Sequence, residues 1–125
     1  ARPEHCIMNP AEVGDISDDL ITIGGHTVSH PTLPAHSFAT QLREIVDGRS
    51  ACEQMTGKRV FSFAYPFGDH DAQSVSAVRE AGFEYACTTL AGCVAHDTDV
   101  LRLPRLYVGD WSGDEFLRKI EHHLF

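Results

Sequence analysis

Short apolar runs alternate with helical segments along this chain, and that alternation limits the folds open to it. The runs are Leu20–Ile23, Val60–Tyr65 and Phe83–Thr89. Each has the length of a buried strand, and the first two end at Gly24-Gly25 and at Pro66-Phe67-Gly68-Asp69, both turn signatures. Helix signals lie before, between and after them. Asn9-Pro10-Ala11-Glu12 offers an N-cap, a proline at the first helical position and a capping-box glutamate, with the helix fading near Asp18-Asp19. From Ser37 to Thr56, Phe38, Leu42, Ile45, Val46, Cys52 and Met55 recur at helical spacing, and Gly57 marks the end. Gly48 is a weak point inside that helix, since glycine costs about 1 kcal/mol relative to alanine. A third helix is expected from Asp71 to Ala81, with Gly82 as its stop. A last helix begins at Ser112, with Glu115 completing a capping box and Phe116, Leu117, Ile120 and Leu124 forming an apolar face. Leu90–Asp99 reads as a loop. Leu101–Val108 reads as extended, confined by Pro104 to an edge or a strand start.

Strands that alternate with helices predict an α/β fold with a parallel βαβαβ sheet and right-handed crossovers. Such sheets carry their sites at the carboxyl ends of the strands. Three segments fall there together: Gly24–His30, Pro66–Gly68 and Thr88-Thr89.

Length and charge exclude several classes. The 125 residues are read as one domain, residues 1–125, long enough for a core without metal or disulfide staples. A net charge of -8 repels phosphate backbones and excludes nucleic acid as a partner. No apolar run approaches the ~20 residues of a membrane span. Cys6, Cys52, Cys87 and Cys93 form no Cys-x-x-Cys pair, which fits free thiols in a reducing compartment and hence a cytoplasmic location. A Gly-x-Ser-x-Gly elbow is missing, and no cysteine stands at a helix start beside a basic residue. An unrelated serine or cysteine hydrolase is therefore excluded.

The chemistry concentrates at His26 and His30. Four residues is one helical turn, so both rings can face one point, and imidazole is the commonest zinc ligand. Spacing alone leaves surface or helix-capping histidines as the alternative. Thr27 and Ser29 are placed to orient the rings by hydrogen bonds. A catalytic zinc site takes three protein ligands and a water, so a third ligand is needed. Asp18-Asp19 precedes its strand and belongs at the opposite end of the sheet, which excludes it. Asp69 and Asp71 lie on the correct side and read as helix caps. His70 lies there too and is a candidate proton donor. His5, His36, His96, His122 and His123 read as solvated. Tyr65, Phe67 and Trp111 read as core aromatics or as platforms for a sugar.

His26-Thr-Val-Ser-His30 resembles the histidine motif of NodB-homology polysaccharide deacetylases, carbohydrate esterase family four. Phe63-Ala-Tyr-Pro-Phe-Gly68 is similar to the motif that follows it in many members, Ala81–Thr89 to the next helix end and strand, and Leu103-Pro-Arg-Leu106 to a later segment of short members. Order and spacing agree from about Ile7 to Val108. The resemblance implies a deformed (β/α) barrel and a metal-dependent hydrolase that removes acetyl groups from N- or O-acetylated sugars or polysaccharide. It implies a divalent metal, usually zinc, on His26 and His30, an oxyanion contact from the Phe67 backbone N–H, and an acetyl pocket shaped by Tyr65 and Pro66. The family's Asp-Asp strand, source of a metal ligand and the general base, has no match upstream of His26. An arginine that supports the base in some members falls at Ala64, the late histidine proton donor has no counterpart, and Asp110-Trp111 comes too late for the family's Asp-Trp pair. The chain is thus expected to be a C-terminal portion, inactive alone, that associates with itself or with its missing N-terminal half to cover a sheet edge. The alternative is a non-catalytic carbohydrate-binding or assembly module on the same fold.

Overall fold

Four helices and a small parallel sheet make up the described part of the chain, residues 7–16 and 20–124 of a computed structural model. In order they are α1 (Pro10–Ile16), α2 (Phe38–Thr56), β1 (Ser62–Ala64), α3 (Ala72–Glu80), β2 (Tyr85–Cys87) and α4 (Gly113–Leu124). β1 and β2 pair in parallel, with Phe63 opposite Ala86. Single parallel bridges widen the sheet on both sides, Gly25 to Phe63 and Leu103 to Cys87. The order across the sheet is therefore the order along the chain, as the alternation predicts. No described helix is long and apolar enough to cross a membrane.

Local chemistry sets the helix ends. Asn9 Oδ1 accepts from the Ala11 and Glu12 N–H groups, and the Glu12 carboxylate accepts from Asn9 N–H at 2.7 Å, a complete capping box. Ser37 caps α2, and Gly57, at φ 65°, ends it by donating to Glu53 O. Asp71 caps α3 through the N–H and hydroxyl of Ser74. Ser112 and Glu115 form the second capping box, at α4.

The core lies where α2 and α3 cover the sheet. Ile45, Val75, Val78, Phe63, Tyr65 and Phe83 are among its buried members. A fully buried side chain of this kind contributes roughly 1.5–3 kcal/mol. The Arg59–Glu84 ion pair at 3.4 Å is solvent-exposed on both sides and contributes about 0–1 kcal/mol, so packing dominates. A half-buried relay joins the layers: Arg49 donates to Ala81 O and to Glu53, lies 5.2 Å over the Phe83 ring, and Glu53 accepts from Val60 N–H at 3.0 Å.

Several expectations need correction. Leu20–Ile23 is no buried strand: Leu20 is 93% and Ile21 48% exposed, and pairing begins only at Gly25. The reason is steric. A Cβ on Gly25 would lie 2.7 Å from the Phe83 ring, so the chain enters the sheet where it has no side chain. The other strands are shorter than expected, and Leu101–Val108 contributes only the bridge at Leu103. Phe116 and Leu117 of α4 are exposed and lie outside the core. Gly48 does not interrupt α2, for a reason found in the site. Asp18-Asp19, His5 and Cys6 lie outside the described residues. Cys52 and Cys87 are free thiols.

Candidate functional site

The carboxyl ends of Gly25, β1 and β2 bring the three expected segments together. His26 follows Gly25 directly, and its Nδ1 lies 2.7 Å from the carbonyl oxygen of Ala64 on β1. A carbonyl only accepts, so Nδ1 carries the proton and Nε2 keeps the lone pair. The His30 ring stands edge-on to His26, centroids 4.7 Å apart. It also stands edge-on to Phe67, at 4.5 Å.

The convergence is real, but no helix produces it. Residues 26–30 form a loop in which Thr27 (φ 64°) and His30 (φ 58°) are left-handed. That conformation is unfavourable for a β-branched threonine and persists only where the surroundings impose it. Thr27 Oγ1 accepts the His30 N–H at 3.0 Å and closes the loop internally. Helix α2 holds it from outside. Glu44 accepts from Val28 N–H at 3.1 Å, from Ser29 N–H at 2.9 Å and from the Ser29 hydroxyl at 3.0 Å. The Ser29 N–H bond is the main cause that holds the Glu44 carboxyl below the usual carboxylate range. One turn on, a Cβ at Gly48 would meet the Thr27 carbonyl carbon and oxygen at 2.8 Å. Backbone cannot yield as a side-chain tip can, so contact with the loop outweighs the helix-propensity cost of glycine.

The Pro66–Gly68 bend is a type II turn in all but its residue choice. Gly68 N–H donates to Tyr65 O at 2.9 Å, Pro66 takes the first central position, and Phe67, at φ 59° and ψ -1°, takes the one that favours glycine. The Phe67 N–H stays outside that hydrogen bond. Its carbonyl accepts from the Thr89 hydroxyl at 3.4 Å, which ties in the end of β2. The Phe67 side chain is 60% exposed.

Other candidates take different places. Tyr65 is 1% exposed and its hydroxyl donates to Leu101 O at 2.9 Å, so it is a core residue and offers no face to a sugar. Burial pushes its phenol well above the ordinary value. Pro66 is buried as well, and both residues back the bend from below. His70 Nδ1 lies 2.8 Å from Gly68 O, and its ring stacks on Tyr65 with centroids 4.9 Å apart. Asp71 caps α3, as its position suggested. Trp111 carries Lys119 over its ring at 4.8 Å, beside α4.

Two neighbouring imidazoles are the side-chain type that takes two positions of a zinc-like ion, for which nitrogen ligands sit about 2.0–2.1 Å from the metal. No group of three or more His, Cys, Asp or Glu suited to a metal occurs among the described residues. Glu44 escaped the sequence reading, and Gly48 entered it only as a weak point of the helix. Their spacing of four along one helix face was visible, but their partners lie far away along the chain.

A small parallel α/β sheet with a paired-histidine loop and a strained aromatic bend at its carboxyl ends has the fold of NodB-type deacetylases, here as a partial barrel. The polysaccharide deacetylase family model matches residues 3–86, and the chain belongs to that family. Its fold is similar to that of a polysaccharide deacetylase from Bacillus cereus, at TM-score 0.80 and 24% identity, over 90% of this chain and 36% of that one. A Bacillus anthracis protein described as a putative polysaccharide deacetylase matches at TM-score 0.76 and 22% identity, over 90% and 36%. A Streptococcus pyogenes deacetylase solved in complex with acetate matches at TM-score 0.71 and 23% identity, over 76% and 42%. The chain thus spans less than half the length of these structures. No curated protein matches it.

Proposed function

We propose that this chain is the histidine-bearing portion of a metal-dependent enzyme that removes acetyl groups from an N-acetylated or O-acetylated sugar polymer. The observation that carries the reading is the meeting of the His26 and His30 rings beside Phe67. His26 and His30 are the ligands this chain brings to a divalent ion, zinc by the preference of paired imidazoles. Such an ion, when bound, polarises the acyl carbonyl and lowers the pKa of water. Hydrolysis adds water across the acyl C–N or C–O bond and releases acetate and the sugar amine or hydroxyl. Negative charge then gathers on the acyl oxygen, and the Phe67 N–H, held outside the turn, is the donor for it. The acetate in the Streptococcus pyogenes relative supports an acetyl product. His70 is the candidate proton donor, with Nε2 as its free nitrogen.

No third ligand joins the pair among the described residues, and the isolated chain is proposed to release little or no acetate. The lack of a third ligand beside the pair among the described residues favours one second reading, a non-catalytic carbohydrate-binding module. Metal content and acetate release from an acetylated chitooligosaccharide test both. Near-stoichiometric zinc that is lost in His30→Ala supports the deacetylase reading. A chain that binds the oligosaccharide and never zinc supports the module. Acetate release that vanishes in His26→Ala would overturn the inactivity of the isolated chain.

A further inference from the structure

We propose that Glu44, with Gly48 one turn further along α2, is a positioning residue for the His26–His30 pair. Its carboxylate fixes where the two imidazoles meet. The consequence for cation binding rests on the reading of that pair as metal ligands, while the positioning itself rests on geometry alone.

Three donors converge on this one carboxylate, all from Val28 and Ser29, two of the three residues between the two histidines. The peptide that separates the rings is therefore pinned to a helix, and Glu44 touches neither ring. Both left-handed residues flank the pinned segment: Thr27 precedes it and His30 follows it. A loop with two such residues does not hold its shape from local preference, so an external anchor has to select it. Gly48 sets the height of the loop over α2, because the Thr27 backbone occupies the space of a Cβ. The Ala64 carbonyl orients His26 from the opposite side. The first imidazole is thus fixed by the sheet and the second by the helix.

An ionised carboxylate is an acceptor at both oxygens, whereas a glutamine amide presents an NH2 that only donates. Glu44→Gln keeps the size of the side chain but removes its charge, so the two N–H bonds lose their ionised acceptor and the Ser29 hydroxyl has to reverse and accept from the new NH2. Ser37→Ala is the control, since it weakens the same helix at its cap, away from the loop.

The test compares wild type, Glu44→Gln, Gly48→Ala and Ser37→Ala by imidazole nitrogen NMR without metal, by thermal melting, and by titration with cobalt(II). Glu44→Gln and Gly48→Ala are expected to shift the His26 and His30 ring signals. Glu44→Gln is expected to weaken cobalt binding about tenfold or more, the usual scale for groups that orient metal ligands. Ser37→Ala is expected to lower the melting temperature and leave the ring signals in place. Unchanged ring signals in Glu44→Gln overturn the proposal, as do equal shifts in Ser37→Ala. A wild type that binds no cobalt, with ring signals still displaced in Glu44→Gln, sinks the metal reading and leaves the positioning role standing. If Glu44→Gln does not fold, Ser29→Ala, which removes one of the three contacts, that of the Ser29 hydroxyl, carries the same comparison with the same two outcomes.

Discussion

The Nδ1 of His26 and the carbonyl oxygen of Ala64 lie 2.7 Å apart. This contact makes the neighbouring strand the reference against which the first imidazole is aimed. It also fixes the proton on the ring nitrogen that faces the sheet. The ring is otherwise exposed, so removing it creates no cavity. His26→Ala is expected to abolish cobalt or zinc binding while changing stability by no more than about 0.5 kcal/mol. Calorimetric titration and melting read the two effects separately. A large loss of stability with cation binding intact would reverse the assignment.

Phe67 occupies a left-handed position with an exposed side chain, so backbone strain and side-chain contact separate cleanly there. Phe67→Gly is expected to be more stable than Phe67→Ala by about 1 kcal/mol, because only glycine accepts this φ without a Cβ penalty. Denaturant midpoints of the two variants measure the difference. Equal midpoints would mean that the bend relaxes in the absence of the phenyl ring.

Tyr65 is buried with its hydroxyl on Leu101 O, and the core holds the phenol neutral. Its folded-state pKa is raised above the unfolded value of about 10. The unfolded chain therefore gives up this proton first as pH rises. Its contribution is complete below pH ~10 and is lost progressively above it. Tyr65→Phe is expected to flatten the alkaline fall in stability and to cost about 1–2 kcal/mol at neutral pH, for the lost hydrogen bond and the orphaned carbonyl. Urea midpoints across the alkaline range test this, and an equally steep fall in the variant argues against it.

Asp71 behaves in the opposite sense. Backbone N–H donation from Ser74, foremost, holds its carboxyl below the ordinary value. The stability it provides is present above the unfolded pKa of about 3.9 and is lost as pH falls through the folded one. Asp71→Ala is expected to cost about 1 kcal/mol near neutrality. Asp71→Asn keeps the cap and removes the acid dependence. Melting curves from neutral pH down past the unfolded pKa of about 3.9 separate the three proteins.

The sequence by itself determined the helix ends, the bend and the direction of the sheet. Asn9 with Glu12, Ser37 with Gly57, Asp71 with Ser74, and Ser112 with Glu115 were legible because each cap joins residues within a turn, or at the two ends, of one helix. The histidine and Pro-Phe-Gly motifs were legible for the same local reason, and their alternation with helices placed them at one end of a parallel sheet. Only the tertiary structure decided how His26 and His30 meet. A helical turn and a left-handed loop give the same spacing in sequence, and the choice between them is made by Glu44 and Gly48, fifteen and more residues away. The burial of Tyr65, the exposure of Leu20 and the uncovered face of α4 were settled in the same way. Which side of an apolar residue meets another element depends on contacts between distant parts of the chain, and no local pattern encodes those.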